Sequence, residues 1–182
     1  MALFERGGAD SPRQINRAPS PVIARAVPWI TIMLGSVLQT LPIIASAPVM
    51  PPFGFLFLLA WRQLRPGLLP VWAGLPLGLF DDLYSGQPLG SAMLLWSAVM
   101  IVLDALEQRF PWRSYLLDWL VGTAFIAGYL VLCSAIAHVG KSGPFIGILI
   151  PQLLLSALIF PAGERFIAGC DRVRLTRFRA VR

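Results

Sequence analysis

The chain has 182 residues, of which 57% are hydrophobic and only 13% are charged, and its formal net charge is +6. A mean hydropathy of +0.71 is too high for a soluble domain of this length, so the composition indicates an integral membrane protein. The basic residues lie at the ends of apolar runs and form no patch with interleaved aromatic residues, which argues against nucleic-acid binding.

Six apolar runs follow an N-terminal basic arm, residues 1–25. The runs predict a transmembrane domain over residues 26–168, followed by a basic tail over residues 169–182. The predicted fold is an all-α, polytopic membrane protein built as a six-helix transmembrane bundle. The predicted spans are Val27–Ala47, Pro51–Trp61, Pro66–Leu83, Leu89–Asp104, Tyr115–Val139 and Phe145–Ile167.

The second run, Pro51–Trp61, is too short to cross a bilayer, because about 11 residues at about 1.5 Å each do not reach across a core of about 30 Å. Two alternatives remain for this segment. The helix begins earlier, near Ser46, and Arg62 extends outward to the membrane surface, or it is a half-depth helix packed within the bundle.

Lysine and arginine alternate between the segments that separate the runs. Segments rich in lysine and arginine remain on the cytoplasmic side of a membrane, so the alternation predicts a multi-pass protein with both termini cytoplasmic. The segments contain four basic residues in the arm, none near Pro48–Pro52, two at Arg62 and Arg65, none in Tyr84–Pro88, two at Arg109 and Arg113, one at Lys141, and six from Arg165 onward.

Two adjacent carboxylates, Asp81 and Asp82, interrupt the apolar segment GLPLGLFDDLYSGQPLG. If Arg65 marks the inner face, a helix from Pro66 places both carboxylates near the outer surface. At a helix end, one of them caps the next helix or bonds the turn. Alternatively, one faces inward and organises the outer mouth of the bundle or contacts a partner. Adjacent helical side chains point about 100° apart, so the pair makes a poor two-carboxylate metal site.

Gly74 and Gly78 form a GxxxG pair around Pro76. Small residues four positions apart let two helix backbones approach closely, and a proline inside a helix predicts a kink. The pair therefore indicates packing within the bundle, with a partner-binding face as the alternative.

Asp104 and Glu107 lie at the inner end of the fourth run. We expect them to pair with a nearby arginine, namely Arg62, Arg65 or Arg109, because charges at membrane depth are stable when paired. No Ser, His and Asp constellation, phosphate-binding glycine loop or metal-ligand spacing is present in the sequence. The sequence therefore predicts a non-enzymatic protein without catalytic, cofactor or metal sites.

The segment from residue 74 to residue 90 resembles the rod-shape-determining MreD family of bacteria. The shared pattern is G-L-x-x-G-L-x-x-D-x-x-x-G-x-P-L-G, and Asp82, not Asp81, occupies its acidic position. A short, proline-bounded apolar run before it, Pro52 to Arg62, is also similar to the family. The motif residues that we expect to serve packing or partner binding are Gly74, Gly78, Asp82, Gly86, Pro88 and Gly90.

The resemblance implies a multi-pass protein of the bacterial inner membrane that belongs to the cell-elongation machinery and helps to maintain rod shape. Its implied partners are an MreC-like bitopic protein, the MreB filament system, RodA and a penicillin-binding transpeptidase, together with the lipid bilayer. The family is similar in fold to the S-component of energy-coupling-factor transporters, and a vitamin-binding S subunit is therefore the alternative function. Such a subunit needs polar groups from several spans at one depth, and the candidates in the outer half are Gln39, Asp81, Asp82, Gln87 and His138.

Overall fold

The computed structural model describes residues 17–18, 21–40, 50–109, 114–137, 146–175 and 179–180. The described chain is helical apart from one pair of two-residue strands, as the composition predicts. The helices are α1 (Pro21–Leu38), α2 (Phe53–Leu64), α3 (Gly74–Ser85), α4 (Ser91–Arg109), α5 (Tyr115–Ala137) and α6 (Ile146–Arg174), and a 3-10 turn, Val71–Ala73, precedes α3. Strand β1 (Arg17–Ala18) pairs antiparallel with β2 (Arg179–Ala180).

Three helices are long and apolar enough to cross a membrane among the residues described. They are α4, α5 and residues 149–174 of α6. Helices α1 and α2 are apolar but shorter, and α3 has only 12 residues. The described structure therefore agrees with a membrane protein, while the other three described helices are too short to meet the same criterion.

The third helix begins later than the predicted span Pro66–Leu83. Its start is delayed because Pro66 and Pro70 lack the backbone N–H that a helix interior requires, and Gly67 adopts a left-handed φ of 77°. Pro76 is the third residue of α3, in the first turn, where a proline is tolerated. At this position the missing N–H breaks no bond within the helix, and a kink or loosening at Pro76 stays a prediction.

The first and last helices also differ from the predicted spans. Helix α1 begins at Pro21, inside the predicted arm, and residues 41–47 at the end of the first predicted span lie outside the described residues. Helix α6 continues to Arg174, past the predicted end at Ile167, so residues 169–174 are helical. Most of the predicted arm and the last part of the predicted tail lie outside the described residues, as does His138.

Helix α2 is the centre of the bundle. Its 12 residues span about 18 Å, and nine of them are buried, as expected for a helix surrounded by others. Phe55 stacks on Tyr129 of α5 with ring centroids 4.3 Å apart and lies 5.9 Å from Trp96 of α4. Arg62 is only 1% exposed, so it does not extend outward. The structure thus matches the half-depth alternative for this segment.

Two prolines inside long helices leave carbonyl groups that neighbouring helices bind. Pro28 in α1 cannot bond the carbonyl of Ala24, four residues earlier, and the Arg174 guanidinium donates to that oxygen at 2.9 Å. Pro161 in α6 likewise leaves the carbonyl of Ala157, which accepts the Trp119 indole N–H at 3.1 Å. Side chains from other helices therefore compensate for both breaks in backbone bonding.

Successive helices run in opposite directions, as contacts at the two ends of the bundle show. At one end, named here the basic end, α2, α4 and α6 finish and α1 and α5 begin. The contacts there are Arg62 with Asp104, Arg65 with Asp171, Arg174 with Ala24, and Gln63 with the Asp118 carbonyl. At the opposite end α1 and α3 finish where α2 and α4 begin, with Gln39 on Asp81 and Asp82 on Ala92.

Candidate functional site

Asp82 caps the following helix. The backbone amides of Gly90 and Met93 donate to its Oδ2 at 2.9 and 3.2 Å, and the Ala92 amide donates to Oδ1 at 2.9 Å. The Ser91 hydroxyl adds a fourth bond to Oδ1 at 3.2 Å. The first amides of a helix have no partner within it, and the helix dipole favours a negative charge at this end. The carboxylate of α3 therefore stabilises the start of α4.

The turn between α3 and α4 depends on two glycines and one proline. Gly86 ends α3 with a left-handed φ of 67°, and Gly90 precedes α4 with a φ of 93°, a region that residues with a Cβ rarely adopt. Pro88 accepts the Ser91 amide through its carbonyl at 3.1 Å, and the Gly90 carbonyl accepts the Leu94 amide at 3.0 Å. The turn and Asp82 together provide a hydrogen-bond partner for every backbone amide from residue 90 to residue 94.

Gly74 and Gly78 let α3 lie directly on α4. A Cβ at Gly78 would lie 2.6 Å from the Met93 Cα and 2.7 Å from the Ala92 carbonyl oxygen. A Cβ at Gly74 would lie 2.9 Å from the Ser97 Cα. These neighbours are backbone atoms and cannot rotate away, so the two glycines allow a close approach of the helices that other residues prevent.

Each predicted motif residue thus has a position in one helical hairpin, α3–turn–α4. The structure places the glycines at the contact and in the turn, and Asp82 at the junction. The structure places both carboxylates near the end of a helix, as predicted, and it buries their side chains inside the bundle. Asp81 is 0% exposed and Asp82 is 3% exposed, because both face neighbouring helices.

Asp81 faces away from α4, toward α1 and α2. Its Oδ1 accepts the Gln39 amide at 3.2 Å, and among the described residues its Oδ2 has no hydrogen-bond donor. The Ser36 hydroxyl lies close by, since a Cβ on Gly54 would be 2.2 Å from Ser36 Oγ and 3.1 Å from Asp81 Oδ1. The sequence predicted that Gln39 and Asp81 both lie in the outer half of the bundle. Nothing in the sequence indicated that Ser36 and Gly54 would lie beside them.

A network of charges connects the helices at the basic end. Arg62 of α2 donates to Asp104 at 2.5 Å, lies 3.2 Å from Glu107, and also bonds the Leu69 carbonyl at 3.0 Å. The predicted pairing of Asp104 and Glu107 with an arginine is confirmed, and the partner is Arg62. This network neutralises buried charge and connects α2 to α4.

A second charge cluster at the basic end was not predicted. Arg65 is paired instead with Asp171 of α6, with Nη2 and Oδ2 2.9 Å apart. Asp171 also accepts from Arg174 at 2.6 Å. Only the extension of α6 past its predicted end brings Asp171 to this position.

The site around Asp82 in the hairpin is structural, because hydrogen bonds within the hairpin already occupy its carboxylate. The Asp82 carboxylate already accepts four hydrogen bonds, so it has little capacity left for a proton, a metal ion or a ligand. Across the part of the chain that the structure describes, no three His, Cys, Asp or Glu residues lie close enough together to hold a metal.

Comparison with known proteins identifies a family. A family model described as rod shape-determining protein MreD matches residues 22–161, more than half of the chain. No curated protein matches the chain, and no solved structure does, so the S-component alternative has no support. The MreD family is a non-catalytic family of cell-shape proteins and part of a system that includes MreB and MreC. The match covers the whole α3–α4 hairpin and its motif. The protein therefore belongs to the rod shape-determining protein MreD family.

Proposed function

We propose that this protein is a non-enzymatic scaffold of the bacterial inner membrane. In this role it couples an MreC-like bitopic protein and the MreB filament system to lateral peptidoglycan synthesis by RodA and a penicillin-binding transpeptidase. The observation that carries the proposal is the α3–α4 hairpin, where the family motif is used entirely for rigid packing. A scaffold needs a surface of fixed shape, and a saturated, tightly packed hairpin provides one.

The hairpin has an apolar outer surface that a partner helix can contact. Leu79 and Leu83 on α3 are 45% and 65% exposed, and Leu94 on α4 is 64% exposed. Within a membrane, helices associate through close packing of rigid surfaces rather than through the hydrophobic effect. The proposal therefore assigns the transmembrane helix of the MreC-like partner to this outer face.

The proposed topology has six helices inserted in the membrane and both termini in the cytoplasm. Support comes from the alternating helix directions, and from the pairing of β1 with β2, which brings the two terminal segments together. The arginines at the basic end are those that the positive-inside rule assigns to the cytoplasm. Helix α2, which is too short to span, is accommodated because protein surrounds it.

Site-specific photocrosslinking in native membranes tests the proposed surface. A photoreactive residue at Leu83 is expected to capture an MreC-like bitopic protein, and the matched control is the same residue at Leu158 of α6, which is 77% exposed. Depletion of the protein is expected to make rod-shaped cells round. Capture of that partner from Leu158 but not from Leu83 would contradict the proposed face, and rods of normal shape after depletion would contradict the function.

A further inference from the structure

A cavity of about 390 Å³ opens at the basic end, where α2, α5 and α6 meet. This volume falls within the range of about 300–1,000 Å³ that is usual for small-molecule sites. The Gln63 side chain, which is 8% exposed, donates to the Asp118 carbonyl at 3.0 Å and holds α2 against α5 beside the cavity. The polar residues that line the cavity are Gln63, Tyr115, Asp118, Glu164 and Arg165, and the others are Ala60, Leu64 and Ala168.

The charges in this cavity are not balanced within the described chain. Asp118 of α5 and Glu164 of α6 are both partly buried and line the same cavity, and the negative charge of Asp118 acts on Glu164. Among the described residues, no lysine or arginine lies within 4.0 Å of either carboxylate, although Arg165 lines the same cavity. Two partly buried carboxylates that share one cavity repel each other and favour a cation between them.

The cavity lies at the depth of the lipid headgroups. The first turn of α5 forms one of its walls, and the ends of helices that cross a membrane lie at the membrane–water interface. Two exposed side chains, Tyr115 at 59% and Leu64 at 40%, form the rim of the cavity together with Ala60 and Ala168. Because this rim is exposed on the side of the bundle, a lipid can enter the cavity from the membrane.

The cavity therefore combines two carboxylates, one guanidinium and an apolar rim. An ammonium group offers three N–H donors to the carboxylates, and a guanidinium binds a phosphate with two parallel hydrogen bonds. From this complementarity we infer that the cavity binds the headgroup of an ethanolamine phospholipid, with the ammonium between Asp118 and Glu164 and the phosphate on Arg165.

Other occupants fit the same charges less well. A choline headgroup has no N–H to donate, and a glycerol headgroup has no cation for the carboxylates. A basic protein segment offers no group that pairs with the guanidinium of Arg165, which follows Glu164 directly in α6, about 1.5 Å further along the helix axis. The ethanolamine phospholipid is the occupant that pairs all three charged side chains.

Lipid competition on the full-length protein tests this inference. The protein is purified in mild detergent, stripped of lipid, and supplied with ethanolamine, choline or glycerol phospholipids of identical acyl chains. Native mass spectrometry then counts the bound lipid. We expect the ethanolamine phospholipid to be retained preferentially, and the double variant Asp118→Asn with Glu164→Gln to weaken its binding about tenfold through loss of charge-assisted hydrogen bonds.

A matched control separates the cavity from general surface charge. Arg172 is an exposed arginine of α6 outside the cavity, and the variant Arg172→Gln is expected to leave the retention of all three lipids unchanged, while Arg165→Gln lowers it for all three because each carries a phosphate. Helix content and elution volume check that each variant is folded. Equal retention of choline and ethanolamine lipids, an unchanged preference in the folded double variant, or a protein segment captured by a photoreactive residue at Tyr115 in place of lipid would each overturn the inference.

Discussion

Asp82 Oδ1 accepts the backbone amide of Ala92 at 2.9 Å, which joins the end of one helix to the start of the next. Most helix caps come from the residue just before the helix, whereas here the capping carboxylate lies on the preceding helix. The position of α3 against α4 and the first turn of α4 are therefore stabilised by the same group. Its neighbour Asp81 takes no part in this cap and accepts the side-chain amide of Gln39, the residue after α1.

The variant Asp82→Asn is expected to lower the free energy of unfolding by about 2–3 kcal/mol, because an amide NH2 then faces backbone N–H donors and leaves them without an acceptor. Denaturant titration in mixed micelles measures the change. In cells, we expect the variant to lose part of its partner assembly through the altered hairpin.

Asp81→Asn is the matched control for this prediction, since the same change is made one residue earlier. Asp81 Oδ2 has no donor among the described residues, so loss of its charge is expected to leave stability unchanged or to raise it. A larger loss of stability from Asp81→Asn than from Asp82→Asn would show that the assignment of the cap is wrong.

The variant Gly78→Ala is expected to destabilise the protein by about 1–3 kcal/mol, because its Cβ meets backbone atoms of α4 and forces the helices apart. Gly128→Ala in α5 is the control, since no atom outside its own helical turn lies within 4 Å of the added Cβ. Thermal unfolding in detergent compares the two. Equal melting temperatures for both variants would rule out a close contact at Gly78.

The variant Arg62→Met is expected to lower the free energy of unfolding by about 3 kcal/mol. This value is at the lower end of the range for a broken buried ion pair, because Asp104 is 39% exposed. The loss arises because Asp104 and Glu107 keep their charges after their shared partner is removed. Adding Asp104→Asn and Glu107→Gln to Arg62→Met should recover part of the stability, as measured by the same denaturant titration. No recovery in the triple variant would argue against an electrostatic cause.

The variant Arg174→Met is expected to lower the free energy of unfolding by less when Pro28→Ala is also present than when it is absent. In that background the residue 28 amide can bond the Ala24 carbonyl, which otherwise depends on Arg174. A double-mutant cycle should give a coupling free energy of about 1 kcal/mol, the value of one hydrogen bond. If the losses of unfolding free energy from the two single variants are strictly additive, the bond between Arg174 and Ala24 contributes nothing to stability.

The sequence predicted the helical class, most of the helix positions and the family, because these depend on local properties. Hydropathy identifies Tyr115–Ala137 within two residues, since a long apolar run has no competing structure in a membrane. It failed at Pro66–Leu83, where apolar residues continue but prolines and Gly67 prevent a helix before Gly74. Hydropathy alone does not report the loss of backbone donors.

The pairing of Asp104 with an arginine was also predictable, because a charge at that depth needs a partner. Which arginine it is depends on how the helices pack. The sequence offered three candidates, and only the buried position of Arg62 in α2 decides among them. The cavity between Asp118 and Glu164 had no signal in the sequence, since these residues are 46 positions apart and come together only when α5 lies on α6.

By itself, the sequence determined that this protein lies in a membrane, that its segments alternate in basic charge, and that the motif from Gly74 to Gly90 belongs to one family. Only the tertiary structure decided what the two carboxylates of that motif do. Adjacent helical residues point in directions about 100° apart, so Asp82 meets the open amides of α4 while Asp81 meets α1. The difference between the two residues is therefore a property of their neighbours in space.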